Sequence, residues 1–384
     1  MDYFLNEDQK AIRDLAARIA RERVIPVRAE LDEKEEFPWE PLKYMADAGL
    51  FGVYIPEEYG GLGYGSFENC LAIEEISRAC IGVSVSFAAS GLGSYPILLF
   101  GSEVQKKKYL PQVASGRMLA AFGLTEAGAG SDAGGIRTTA RLDGDYYILN
   151  GTKQWITNGG EAGVYSVIAL TDKSKGPRGA SAFILEKDMP GFTFGKKEKK
   201  LGIRCSATRE LVFEDCRVPK ENLLGRQGMG FIVAMRTLDK TRPGIGAQAV
   251  GLAQGAFEAA VAYARERHQF EKPIISFQAI QHMLADMAAQ IEAARALVYA
   301  VARWVDTNPK DISKYSAISK LFPSEVAMKV TVDAVQIFGG YGFMRDYPVE
   351  KMMRDAKILQ IYEGTNQIQR NVVGQALIKE YASK

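Results

Sequence analysis

DGDYYILNGTKQWITNG (143–159) is the stretch on which the fold of this 384-residue chain turns. Its β-branched and aromatic residues are set off by Asp143-Gly144 and Asn150-Gly151, dipeptides that favour tight turns between strands. Comparable short runs stand at 138–142, 165–170, 181–185 and 210–213, so residues 120–222 read as antiparallel β structure. Outward of this block the period becomes helical. Before it, Phe4, Ala11, Ile12, Leu15, Ala16 and Ile19 recur at helix spacing, and 67–79 repeats the pattern. After it, Val250, Leu252, Ala253, Phe257, Ala260, Val261 and Ala264 form one apolar stripe, and 283–305 continues with many alanines. Small residues permit close helix packing, as in a four-helix bundle. The expected class is α+β, with an N-terminal α-helical domain (1–120), a middle antiparallel β domain (121–228) and a C-terminal four-helix bundle (229–384).

Composition narrows the function classes. Apolar content of 47%, charged content of 24% and a net charge of +2 are those of a soluble globular protein. They give no electrostatic reason for nucleic acid or an anionic membrane as partner. Cys70, Cys80, Cys205 and Cys216 lack C-x-x-C spacing, and His268 and His282 are the only histidines. Neither a metal site nor a Cys/His nucleophile is expected, and reduced thiols point to the cytoplasm. The N-terminus carries acids at once and has no apolar h-region of a signal peptide. Residues 79–102 hold no charge and are long enough to span a bilayer, but they contain five Ser, four Gly and a Pro. Gly91, Gly93 and Pro96 are expected to break this segment into a buried helix with a turn.

Six segments carry candidate chemistry. FGLTEAGAGSDAGG (122–135) offers backbone N–H groups and the Ser131 hydroxyl to a phosphate or a carbonyl, though a plain loop reads equally well. In QWITNG (154–159), Trp155 and Thr157 could flank a flat ring, or Trp155 could fill the core. LDKTRPGIG (238–246) and ARERHQF (264–270) supply Arg242 and Arg267 as anion partners or ordinary ion pairs. His268 reads as a surface or cofactor-contact residue, and His282 as packing. VQIFGGYGF (335–343) brings glycines close to something. LQIYEGTNQIQR (359–370) places Glu363 between an apolar run and Gly364, at a helix end. Held against Ile361 and Tyr362, a carboxyl loses hydration and its pKa rises, which tunes a general base; a solvated Glu is the plainer alternative.

Together TEAGAGSD, QWITNG, LDKTRP, RERHQF, VQIFGGYGF, YPVEKMMRDAKI and IYEGTNQIQR resemble the acyl-CoA dehydrogenase family, in the family's order, from about Asn6 to Gln375. The resemblance implies FAD, a coenzyme A thioester substrate, a homotetramer and a role in fatty acid β-oxidation. It implies that Phe122, Leu124 and Thr125 line the flavin and that Ser131 meets both FAD and substrate. Trp155 and Thr157 would lie at the isoalloxazine ring. Arg267, Gln269, Phe270 and Gln278, with Gln336, Gly339 and Gly340, would hold the pyrophosphate and adenine, partly across a subunit interface. Thr365 and Gln367 would return to FAD. Asp239 and Arg242 would meet the coenzyme A portion, with Glu363 and Gly364 at the thioester and Glu363 as the base. Some branches carry the base on the earlier helix, where this chain has Thr241; Glu363 at the later position matches the short- to medium-chain type. Ala127 in place of a usual Pro and His268 in place of a usual Lys depart from the pattern.

The implied reaction is α,β-dehydrogenation to a trans-2-enoyl thioester, with electrons passed to electron-transferring flavoprotein. The alternatives are an enoyl-CoA reductase using the same site in reverse, an acyl-CoA oxidase, or a non-catalytic flavin-binding protein. The absence of Arg in 79–102 speaks against a dicarboxylic substrate.

Overall fold

The computed structural model describes residues 1, 3–309 and 311–382. Residues 2, 310, 383 and 384, within the expected limits of the two helical domains, lie outside that set. Six helices come first: α1 (Glu7–Ile19), α2 (Arg28–Lys34), α3 (Trp39–Asp47), α4 (Ser66–Ala79), α5 (Ile81–Phe100) and α6 (Glu103–Ala114). Asn6 starts α1 through a reciprocal cap, its side chain accepting from Gln9 N while Gln9 bonds back.

Eight strands follow: β1 (Ala120–Gly123), β2 (Thr139–Asp143), β3 (Tyr146–Thr157), β4 (Val164–Leu170), β5 (Ala180–Glu186), β6 (Phe192–Phe194), β7 (Thr208–Pro219) and β8 (Leu223–Leu224). Their order is β6-β7-β3-β2-β4-β5-β8, antiparallel except that β1 and the first residue of β2 run parallel to β4. Asp143-Gly144 does turn between β2 and β3, but Asn150-Gly151 does not form the expected turn. It sits inside β3 at an irregularity in the pairing with β7. Asn150 exchanges two 2.9 Å hydrogen bonds with Asp215, so its side chain bridges strands and β3 carries on.

Helices resume with α7 (Gly230–Glu266), followed by a short ribbon of β9 (His268–Gln269) and β10 (Lys272–Pro273). Then come α8 (Gln278–Asp306), α9 (Ser313–Phe338), α10 (Pro348–Leu359) and α11 (Asn366–Tyr381). The 37-residue α7 is the axis of the molecule, packing on α4, α5, α8, α9 and α10. Its glycines make this possible: a Cβ at Gly246 would lie 2.2 Å from Ser319 O of α9, and one at Gly251 2.0 Å from Glu74 O of α4.

Two further expectations need correction. The α5 helix is unbroken across Gly91, Gly93 and Pro96, because it packs on β1 so closely that a Cβ at Gly93 would meet Ala121 N at 2.4 Å. Tertiary packing outweighs the propensity cost of glycine and proline there. His282 is exposed on α8 rather than packed. Length and composition alone would let α5 cross a membrane; here it is mostly buried among its neighbours.

Candidate active site

The six residues 360–365 connect α10 to α11 and hold Glu363. Burial of Val349, Met352, Ala356 and Leu359 seats α10 on the core, so its C-terminal end has a fixed position. Ile361 N and Tyr362 N bond back to Ile358 O, after which the chain leaves the helix. Glu363 itself takes the left-handed conformation (φ +51), and Gly364 follows with φ +94. A side chain at Gly364 would be strained, and its Cβ would meet Gln369 Nε2 at 2.6 Å. Thr365 then caps α11 by accepting from Ile368 N.

Side chains from three helices pin this connection. From α7, Thr241 Oγ1 donates to Glu363 Oε2 at 2.7 Å, and Arg242 Nε donates to Glu363 O at 3.3 Å. From α11, Gln369 Nε2 donates to Glu363 O (3.1 Å) and Gly364 O (2.9 Å). From α9, Lys320 Nζ donates to Gly364 O (2.9 Å) and to Asn366 Oδ1 (2.7 Å). Among the described residues, neither Glu363 Oε1 nor the Glu363 N–H has a hydrogen-bond partner. Burial pushes the Glu363 carboxyl up to about 7, against the Thr241 hydrogen bond and the Arg242 and Lys320 charges. Arg242 also pairs with Asp239, one turn earlier on α7, at 3.2 Å and buried, with Ser313 Oγ donating to Asp239 Oδ2 at 2.7 Å. Burial raises the Asp239 carboxyl as well.

A second group lies on the sheet. Trp155 is 55% exposed with φ +58, at a bulge where the β3–β7 register shifts between Lys153 and Ile156. It is no core filler. Thr157 and Phe122 are half-buried, Leu124 is buried, Thr125 is half-buried and Ser131 is exposed. What holds the glycine-rich loop against β3 is Lys153, fully buried, whose Nζ donates to Leu124 O (3.0 Å) and Glu126 Oε1 (2.7 Å). Glu126 also accepts from Arg137 N (2.6 Å) and Thr138 N (3.0 Å). Burial pulls the Lys153 ammonium down to about 8, with Glu126 opposing.

A third group surrounds a cavity of about 540 Å³ lined by Arg267, Gln269, Phe338, Gly339, Gly340 and Tyr341, among others. The Arg267 guanidinium lies 5.4 Å from the Tyr341 ring centre, and nothing stands within 4 Å of a Cβ built on Gly339 or Gly340. Phe270 in the β9–β10 ribbon, Gln278 at the start of α8 and Gln336 near the end of α9 are exposed. No hydrogen bond or ring contact joins this group to the sheet group among the described residues. Thr365 and Gln367 flank Glu363 instead.

Sequence reasoning missed Lys153, Glu126, Lys320, Asn366 and Gln369. A Lys within a predicted strand was a usable signal for Lys153; Glu126 read as part of a glycine-rich loop, and the others as ordinary helix residues.

Residues 6–117, 121–216 and 228–378 match the family models for the acyl-CoA dehydrogenase N-terminal, middle and C-terminal domains. A probable acyl-CoA dehydrogenase of Mycobacterium bovis is 51% identical over 98% of this chain and 96% of its own length. An NADH-dependent acryloyl-CoA reductase of Anaerotignum propionicum is 47% identical over 99% of this chain and 96% of its own. Among solved structures, a chain from work on the electron transferring flavoprotein of Acidaminococcus fermentans and flavin-based electron bifurcation superposes with TM-score 0.97. It is 53% identical and covers 99% of this chain and 100% of that one. Butyryl-CoA dehydrogenase of Megasphaera elsdenii gives TM-score 0.96, with 48% identity and coverage of 98% and 100%. An acyl-CoA dehydrogenase of Bacillus anthracis complexed with FAD gives TM-score 0.92, with 40% identity and coverage of 99% and 68%.

Proposed function

The chain belongs to the acyl-CoA dehydrogenase family, and from that premise we propose that it interconverts a short-chain acyl-CoA and its trans-2-enoyl thioester, with Glu363 as the base. It is an FAD-dependent oxidoreductase, as the family is. The residues present fit that cofactor: an exposed Trp155 beside a Gly-rich loop suits a flat ring, and Arg267 beside Gly339 and Gly340 suits a pyrophosphate. When bound, FAD supplies a two-electron acceptor for the β-hydrogen and its electron pair.

The observation that carries the proposal is the pinned Glu363. Its Oε2 is taken by Thr241, so Oε1 is the atom open to the α-proton. The two carbonyls that flank Gly364 N are tied from outside by Arg242, Gln369 and Lys320, which holds the connection in one conformation. The Glu363 N–H is thereby left to donate to the thioester oxygen as enolate charge develops. Asp239 and Arg242, Ser131 and the Gly364 backbone are assigned to the substrate side. Phe122, Leu124, Thr125, Trp155, Thr157, Thr365 and Gln367 are assigned to the flavin, and Arg267, Gln269, Phe270, Gln278, Gln336, Gly339 and Gly340 to the remainder of FAD. The exposed position of that last set suits a cofactor shared with a second copy, hence a homotetramer. The four free thiols fit a cytoplasmic location. The short-chain assignment draws support from the butyryl-CoA dehydrogenase likeness.

Electron-transferring flavoprotein is the proposed partner for the reducing equivalents. The reverse direction, reduction of an enoyl thioester, is a second reading favoured by the 47% identity to the acryloyl-CoA reductase. Anaerobic mixing of the yellow protein with saturated thioesters of four to eight carbons, and with branched and dicarboxylic ones, tests both. Rapid bleaching by the four-carbon substrate is the expected result. If only enoyl thioesters react, by reoxidising the chemically reduced protein, the reductase direction replaces it. If neither reacts, the proposal fails.

The acidity of Glu363 adds a prediction. The base must be ionised to take a proton, so activity is present above its pKa and is lost as pH falls through it. Plotted as kcat/KM between pH 5.5 and 8.5, dehydrogenation should show an acid limb near the value of about 7. A flat profile down to pH 5.5 would contradict it.

A further inference from the structure

We propose that Lys320 is a positioning residue for the base: its buried ammonium clamps the backbone that follows Glu363 and is the cation against which the carboxylate charge is held. The inference rests on Glu363 as base and extends it to a residue on a different helix. Lys320 is wholly buried in the middle of α9, a rare place for a lysine. Its hydrogen bonds go to two neutral oxygens, Gly364 O and Asn366 Oδ1, the groups one and three residues beyond Glu363. A methionine would fill the space without the cost of desolvating a charge, so packing does not account for the residue.

The charged groups facing Lys320 come from every side. Glu363 on the 360–365 connection attracts it, Arg242 on α7 repels it, and Glu325 on α9 attracts it. Glu325 is engaged elsewhere, accepting from Asn366 Nδ2 (3.0 Å), Gln360 Nε2 (2.9 Å) and Arg370 (3.2 Å). Glu363 has no such set of partners. Asn366 completes the clamp: buried, it takes the Lys320 bond on Oδ1 and passes Nδ2 to Ser324 Oγ at 2.9 Å. The ammonium therefore acts on the base in two ways, through the backbone it holds and through its charge. Burial draws the Lys320 ammonium down while the Glu363 carboxylate holds it up, and Lys320 in turn favours the ionised Glu363, so the two charges support each other.

Lys320→Gln keeps an N–H donor and removes the charge, and Lys320→Met removes both. Measured by anaerobic flavin bleaching with the active thioester from pH 5.5 to 9, each should move the acid limb upward by about one pH unit. At pH 6.5 the rate then falls roughly tenfold, while the Gln variant at pH 8.5 stays within roughly threefold of the parent. A uniform fall at every pH, with the limb unmoved, would mean a merely structural lysine and overturn the proposal. Lys320→Arg, which keeps the cation, should retain the parent limb; if neither neutral variant folds, a shifted limb in the Arg variant overturns the proposal instead. Glu363→Gln measured alongside separates the two readings. Turnover retained in that variant removes the base itself, whereas turnover lost there with unmoved limbs in the Lys320 variants removes only Lys320.

Discussion

Glu363→Gln is expected to leave the protein folded and yellow with FAD and to slow flavin bleaching by its thioester on the order of 10³-fold. The substitution changes little but the basicity. A Gln side chain has the same length, its carbonyl oxygen can still accept from Thr241, and the backbone bonds from Arg242 and Gln369 stay in place. The oxyanion donor, a backbone N–H, is untouched, so substrate binding should change less than turnover. Comparing the Kd for a non-reducing thioester with the bleaching rate would display that split. Bleaching within tenfold of the parent would show that some other group takes the α-proton.

Lys153→Met is expected to carry the largest stability loss, about 3–5 kcal/mol, because it strands the buried Glu126 carboxylate. Glu126 would keep the Arg137 and Thr138 N–H donors but lose its counter-charge, and Leu124 O would lose its donor. The loop from Thr125 to Asp132 would then be free of β3 on one side, so FAD should be lost on desalting. Thermal unfolding of the apoprotein and flavin content after gel filtration read the two effects separately. Adding Glu126→Gln should restore part of the stability, as coupled neighbours do in a double-mutant cycle. An unchanged midpoint with full flavin content would show that the pair contributes nothing.

Where the sequence was legible, one physical signal dominated. The helical stripes of 1–120 and 229–384 and the strand runs between them correspond to real helices and strands because each buries one face. Glu363 could be placed just past a helix end since Gly364, with φ +94, marks where the connection between α10 and α11 bends. The failures have another origin. Asn150-Gly151 and Gly93 carry strong local preferences, yet Asp215 and Ala121, distant in sequence, settle what those segments do. Lys320 and Gln369 could not be found from spacing, because they bond backbone oxygens whose position depends on the folded connection, and Asn366 could not because its partners are side chains of α9.

The glycine contacts of α7 bear on how the molecule can move. With its backbone against Glu74 O on one side and Ser319 O on the other, α7 cannot slide smoothly past either neighbour. Shear between such helices proceeds by jumps of about a full turn, roughly 5.4 Å, and an equivalent seat lies one turn on, where a Cβ at Gly255 would meet Arg78 O at 2.3 Å. The N-terminal helices and the C-terminal bundle are thus geared to one shaft, in discrete steps rather than by continuous slippage.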